Sequence, residues 1–269
     1  MNRTRSVHAT AFVTVTALAC ATVSGLSGAA AARTATTSLC GRYDTKSVSY
    51  GAYVVQNNEY NSSASECLDL GGGTRFSVGK SRIKVPSNGS PGAYPSVFTG
   101  SSWGHSSVGG LAASPVRVSA LGPGTALTSW STTQPYQNGE AYDVAYDIWI
   151  NPTPAVSGQP RGSEVMIWLN HKGGIRPIGR RVASKVSIGG RSYDVWYEPP
   201  SGSAGDIVSY VMSGPVTSVS GLDLGRIFRN SVSRGYTKPS WYLVAIEAGF
   251  ELWRGGTGLT SNWFSVRVR

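Results

Sequence analysis

Charge is scarce in this chain, and acidic charge most of all. Asp, Glu, Lys and Arg make up 14% of the 269 residues, against about 25% in an ordinary soluble protein. That composition excludes a coiled coil or a Glu/Lys/Ala-rich helical bundle, whose solvent faces depend on charge. Methionine is down to 3 residues and cysteine to 3. So few cysteines cannot build a disulfide scaffold, and none is spaced with His105 or His171 as a metal site requires. No metal and no cofactor are expected. The chain has instead 34 glycines, abundant Ser and Thr, and aromatics at 10%. Turn formers interleaved with Tyr, Trp and Val point to an all-β protein, and the apolar content is too high for a disordered chain.

The first thirty residues read differently. Arg3 and Arg5 precede a small-to-apolar run from Ala11 to Leu26, and Ala29 to Ala32 supplies residues suited to signal-peptidase cleavage. The expected organisation is a secretory signal peptide over 1–32, a flexible lead-in over 33–39 and one domain over 40–269. A membrane anchor is disfavoured, because Thr, Ser and Gly dilute the run below the ~20 apolar residues a span needs. A lipid anchor at Cys20 is disfavoured by its Ala17-Leu18-Ala19 context. Export removes Cys20 and leaves Cys40 and Cys67, an even pair expected to form one disulfide. Such a bridge contributes about 3 kcal/mol in the chain-entropy picture. Arg3 and Arg5 leave with the signal, so the net charge of +10 drops by two while all 14 acids stay.

From Cys40 onward, short alternating runs of Val, Ile, Tyr, Trp and Thr are broken by Gly, Pro, Asn and Ser. This spacing predicts a β-sandwich or barrel. No internal repeat and no long Pro/Ser/Thr linker marks a second module. Residues 220–235 break the pattern: Leu224, Ile227, Phe228 and Val232 share one helical face. Ser220 is the candidate N-cap there and Gly235 the stop.

Strand parity carries the chemistry. Alternate residues of a strand point to opposite faces. In 163–169, Glu164, Met166 and Trp168 share one face against Val165, Ile167 and Leu169. In 247–253, Glu247, Gly249, Glu251 and Trp253 oppose Ala248, Phe250 and Leu252. In 143–150, Asp143, Asp147 and Trp149 oppose Val144, Tyr146, Ile148 and Ile150. Three strands thus set carboxylates among aromatics, opposite a core face. Sugar rings stack on Trp and Tyr, and paired carboxyls beside such a platform cleave glycosidic bonds; a separation of about 5 to 5.5 Å suits a retaining mechanism.

Residues 164–168 (Glu-Val-Met-Ile-Trp) and 249–253 (Gly-Phe-Glu-Leu-Trp), the latter followed by Gly-Gly-Thr-Gly-Leu at 255–259, resemble the two active-site motifs of glycoside hydrolase family 12. That family comprises endo-β-1,4-glucanases and xyloglucanases. Supporting matches lie at 53–58 (Tyr-Val-Val-Gln-Asn-Asn), 94–98 (Tyr-Pro-Ser-Val-Phe), 146–149 (Tyr-Asp-Ile-Trp), 177–179 (Pro-Ile-Gly) and 241–243 (Trp-Tyr-Leu). Together they cover about residues 40 to 268, and their order and spacing are specific.

The resemblance implies a β-jelly roll of two curved antiparallel sheets, with one helix on the convex side and a substrate cleft on the concave side. It implies a secreted retaining endo-glycosidase acting on β-1,4-glucan, with Glu164 as nucleophile, Glu251 as general acid/base and Asp147 as the carboxyl beside the nucleophile. Asn58 matches an asparagine that contacts sugar hydroxyls. Tyr60 stands where the family usually has a stacking Trp, and Trp103 is expected to face the cleft. Met166, Trp168 and Pro177 match cleft-lining positions. Ser101 and Ser106 occupy the places of two cysteines that form a loop disulfide in many members, so a more mobile loop is expected. Two other readings remain: a non-catalytic carbohydrate-binding module or lectin, and a family 11 xylanase. Nucleic-acid binding is disfavoured because the basic residues are scattered, the tight groups being Arg180-Arg181 and residues 267–269. His105 and His171 are read as surface or loop residues. A monomer is expected, with no membrane contact after signal removal.

Overall fold

The computed structural model describes residues 37–201 and 205–269. The expected signal peptide, Cys20 and the start of the lead-in lie outside the described residues. Among these residues no helix is long and apolar enough to cross a membrane.

Two sheets form the domain. The six-stranded one runs edge to edge as Ser38–Leu39, Glu66–Gly72, Arg75–Ser81, Thr260–Val268, Ala126–Thr133 and Ser218–Asp223. The 12-stranded one runs Arg180–Ile188, Arg191–Glu198, Asp206–Met212, Ser163–Lys172, Ala141–Asn151, Tyr242–Gly249, Ser96–Ser102, Tyr53–Gln56 and Thr45–Val48, with three short strands beside this path. This is the expected jelly roll. One pair departs from antiparallel order: Ser163–Lys172 and Asp206–Met212 run parallel. Parallel neighbours need a crossover of a dozen or more residues, and the hairpin of Arg180–Ile188 with Arg191–Glu198 supplies it.

The core between the sheets takes the apolar side of each strand, as parity requires. Val144, Tyr146, Ile148 and Ile150 meet Val165, Ile167 and Leu169, and Ala248, Phe250 and Leu252 join them. Trp130 anchors this layer, with its ring 5.3 Å from Tyr146 and 5.8 Å from Phe250, centroid to centroid. Its indole N–H donates to Ser261 Oγ at 3.0 Å, so no polar atom is stranded.

Cys40 and Cys67 are bridged, as the sequence leads one to expect. Two boundaries differ from the sequence reading. The lead-in ends early: Ser38–Leu39 pairs with Asp69 and Leu68, because Leu39 finds a place in the core. The helix is Leu224–Ser233, capped by Asp223 and not by Ser220, since residues 218–223 are still paired as an edge strand. The Asp223 carboxylate accepts from the Arg226 amide, satisfying one of the free N–H groups at the helix start. Leu224, Ile227 and Phe228 bury into the core, and Gly235 follows with φ 78°, the left-handed turn that ends such a helix.

Candidate active site

The outer face of the larger sheet carries the carboxylates. In the register, Asp147 lies opposite Met166 on one side and opposite Glu247 on the other. Glu164 lies opposite Trp149 and, across its other edge, opposite Ile207. Directly opposite residues have Cβ atoms about 5 Å apart and diagonal ones about 7–8 Å, which clusters Glu164, Asp147 and Glu247. Glu251 arrives differently from the sequence reading. The strand pauses after Gly249 and resumes as Leu252–Arg254. The Glu251 amide donates to Asp143 Oδ1 at 3.2 Å, and the Asp143 amide donates to the Glu251 carbonyl at 3.1 Å. Gly249 is required at the bend, because a Cβ there would collide with the Pro95 carbonyl.

Asp147, Glu164, Glu247 and Glu251 line a cleft of about 850 Å³ that, among the described residues, has no Lys or Arg in its lining. Asp147 is 5% exposed and Glu247 1%, while Asp143 is fully buried; Glu164 and Glu251 are half-buried. With no cation to balance them, the carboxyls cannot all ionise. Burial raises Glu164 above the usual carboxylate range, and the charges of Glu251 and Glu247 add to it. Asp147 is held well above its ordinary value by burial, then by Glu164, Glu251 and Glu247. Glu251 is also raised well above it, by burial first and then by the neighbouring Asp143, whose carboxyl hydrogen-bonds it. Asp143 itself is pushed up to about 8, chiefly by burial. The cluster therefore holds protons near neutrality, with Glu251 stabilised in its acid form.

Of the residues expected in the cleft, Glu164, Glu251, Asp147, Asn58, Tyr60 and Trp103 all line it. Asn58 takes φ 48°, a left-handed conformation that Asn tolerates, and so turns out of the Tyr53–Gln56 strand. Trp103 and Gly104, with φ 49° and 83°, form the two-residue turn of a hairpin. Trp103 is 50% exposed and meets Trp149 edge-on at 6.1 Å. Ser101 and Ser106 pair across that hairpin with their hydroxyls 2.9 Å apart, in place of a bridge.

Three expected residues are not brought into the lining. Met166 and Trp168 lie on the cleft side of the sheet, but Ala141, Ala145, Ile175 and Trp253 cover them in a second apolar cluster. Pro177 is buried and is not among the residues that line the cleft. Conversely, Tyr43, Gln56, Tyr94, His105, Trp149 and Glu247 line the cleft and were not singled out as site residues. Parity alone already set Glu247 and Trp149 on this face. His105 therefore stands at the cleft wall, whereas His171 packs its ring 5.8 Å from Trp168.

Several motifs support the site from behind. Gln56 Nε2 donates to Ser96 Oγ and to Glu247 Oε2, each at 3.0 Å. Tyr94 O–H donates to the Ala145 carbonyl at 3.0 Å. The glycines at 255–256 let the chain wrap Glu140, whose Oε1 accepts from the Gly256 amide at 2.9 Å.

Comparison with known proteins agrees with this geometry. The sequence profile described as Glycosyl hydrolase family 12 matches residues 51–269. A protein named Probable cellulase Cel12b of Mycobacterium tuberculosis is 33% identical over 133 residues, 49% of this chain and 85% of that one. The crystal structure of a metagenome-derived glycoside hydrolase family 12 endoglucanase superposes with a TM-score of 0.79 at 34% identity, covering 87% of this chain and 98% of that one. Endoglucanase cel12A from Rhodothermus marinus gives 0.78 at 38% identity, over 87% and 99%. A profile match over most of the chain, the shared fold and the carboxyl-lined cleft lead to one conclusion: the chain belongs to glycosyl hydrolase family 12.

Proposed function

We propose that the protein is a secreted endo-β-1,4-glucanase that hydrolyses soluble or amorphous β-glucan with retention of configuration. The observation that carries the reading is the cleft itself, where Glu164 and Glu251 line one cavity with Asp147 and with part-exposed aromatics. In this reading the glucan chain lies over Tyr60 and Trp103, with Asn58 taking sugar hydroxyls. Glu251, kept protonated by burial and by Asp143, gives its proton to the leaving oxygen. Glu164 attacks the anomeric carbon and forms a glycosyl ester, and Asp147 shares a proton with it to steady its charge. Water, deprotonated by Glu251, then releases the sugar.

The signal-like residues 1–32 support export, and the Cys40–Cys67 bridge suits an oxidising compartment; a single-domain monomer is the expected form. The polysaccharide is the expected partner, with no nucleic acid. Glu164→Ala should abolish hydrolysis of barley β-glucan. On an activated cellobioside, added azide should restore turnover and yield the α-glycosyl azide. Rescue giving only the β product would exchange the roles of the two glutamates. A wild-type protein that releases no reducing ends from barley β-glucan, carboxymethylcellulose or xyloglucan would favour a binding module.

A further inference from the structure

Glu247 has no part in the scheme above, yet it is a buried carboxyl on the cleft floor. It faces Asp147 directly across the neighbouring strand and lies in the cavity lining with Glu164. Its Oε2 accepts from Gln56 Nε2 at 3.0 Å and from Ser96 Oγ at 3.4 Å. Among the described residues its Oε1 and the buried Ser102 hydroxyl make no well-aligned hydrogen bond, though the Ser102 and Trp149 side chains stand near enough to favour its anion. A carboxyl held firmly on one oxygen and loosely on the other is half-prepared for charge. It is neither neutralised by a cation nor fixed in a closed network.

We propose that Glu247 is a positioning residue for the nucleophile: it competes with Glu164 for the first negative charge that the cleft floor accepts. The inference rests on Glu164 being the nucleophile. An anion on Glu247 attacks nothing, but it disfavours a second anion on the same cleft floor, across the strand that carries Asp147. The donors select between the two sites. Gln56 and Ser96 stabilise the anion at Glu247, whereas Glu164 stands between Trp149 and Ile207 with no hydrogen-bond donor among the described residues. Burial pushes Glu247 only to about 7, the Ser102, Ser96 and Trp149 side chains lowering it, while Glu164 is raised by burial, then by Glu251 and by Glu247.

The other titratable groups around the pair are Asp147 and Asp143 from the Ala141–Asn151 strand, Glu251 from the end of its own strand, Tyr94, and Tyr43, Tyr60 and His105 from the cleft walls. None of the carboxyls and phenols among them brings positive charge. Glu251 answers mainly to burial and Asp143, not to Glu247. Glu247 should therefore govern one limb of the pH profile and leave the other nearly alone.

The test is Glu247→Gln, which keeps the shape and an acceptor for Gln56, with kcat/KM on barley β-glucan followed against pH. The acid limb should move to lower pH, on the order of one unit for two like charges in a half-buried cleft. The alkaline limb should move less than half as far. An acid limb that stays, or that moves up, overturns the proposal, as does a uniform loss of rate with an unchanged profile, which a structural role would give. If the variant does not fold, Ser96→Ala should lower the acid limb by a smaller step, since it weakens the anion at Glu247; no movement overturns the proposal. A wild-type protein with no hydrolase activity would defeat the functional reading separately. In that case carbon-13 NMR titration of labelled glutamates decides: the Glu164 midpoint must fall in Glu247→Gln, and a fixed midpoint overturns the inference.

Discussion

Replacing Ser101 and Ser106 together with cysteine should create a second disulfide and stabilise the domain by about 2 kcal/mol. The two residues are directly paired across a hairpin whose turn is Trp103-Gly104. In a two-residue hairpin the pair next to the turn exchanges hydrogen bonds and the following pair does not, so its Cα atoms approach to about 4.5 Å. That separation lies inside the range a disulfide accepts. Hydroxyl oxygens already 2.9 Å apart show that the side chains point at each other. The closed loop is short, and the loop-entropy relation gives it about 2 kcal/mol at 25 °C. The lost hydroxyl contact is exposed and subtracts little. For a domain of this size each kcal/mol moves Tm by roughly 2–4 °C, so the gain should be about 4–8 °C. Calorimetry of the oxidised variant, with a reduced control and mass-spectrometric proof of the bridge, measures it. A verified bridge that leaves Tm unchanged or lowers it would refute the reasoning. Hydrogen exchange across the hairpin should slow in the oxidised form.

Asp143→Asn tests the origin of the Glu251 proton. Asp143 raises Glu251, after burial, through its charge and its carboxyl contact. Removing that charge lowers the Glu251 titration, so the alkaline limb of kcat/KM should shift to lower pH; an upward or absent shift would contradict the assignment. Glu251→Gln should cost about 10²–10⁴ in rate on β-glucan, the usual worth of a general acid. The loss should be much smaller on a dinitrophenyl cellobioside, whose leaving group needs no proton, and equal losses on both would refute the acid role. Tyr60, 40% exposed on the cleft wall, offers less stacking area than a Trp would. Tyr60→Trp should lower KM for cello-oligosaccharides by about two- to tenfold, the worth of about 0.5–1.5 kcal/mol of aromatic contact, and an unchanged KM would remove Tyr60 from the sugar path.

Period-two alternation made much of this site legible. Once Val165, Ile167 and Leu169 are taken as core, Glu164 has one face left to occupy, and the same holds for Asp147, whereas Glu251 reaches the cleft past a break in its strand. Parity says which face a residue takes but not where along the sheet a loop will cover it. Trp168 and Glu164 share a face, yet Trp253 and Ile175 cover one and leave the other open. Tyr43 was hidden for a different reason. It stands in no strand and reaches the cleft wall in a segment tied down at the neighbouring Cys40–Cys67 bridge. Glu247 was visible on the correct face, but nothing in a sequence shows that Gln56 and Ser96 will converge on it from two other strands. Helix capping failed locally: residues 218–223 pair as an edge strand, so the first free N–H groups fall to Asp223 rather than Ser220.

The central claim is that Glu164 bonds covalently to the sugar while Glu251 moves the proton. Incubation with an activated 2-deoxy-2-fluoro cellobioside, followed by proteolysis and mass spectrometry, tests it directly. The account predicts a stable glycosyl adduct on the peptide that carries Glu164, with loss of activity in proportion to labelling. An adduct on Glu251, or inactivation without any adduct, would contradict it.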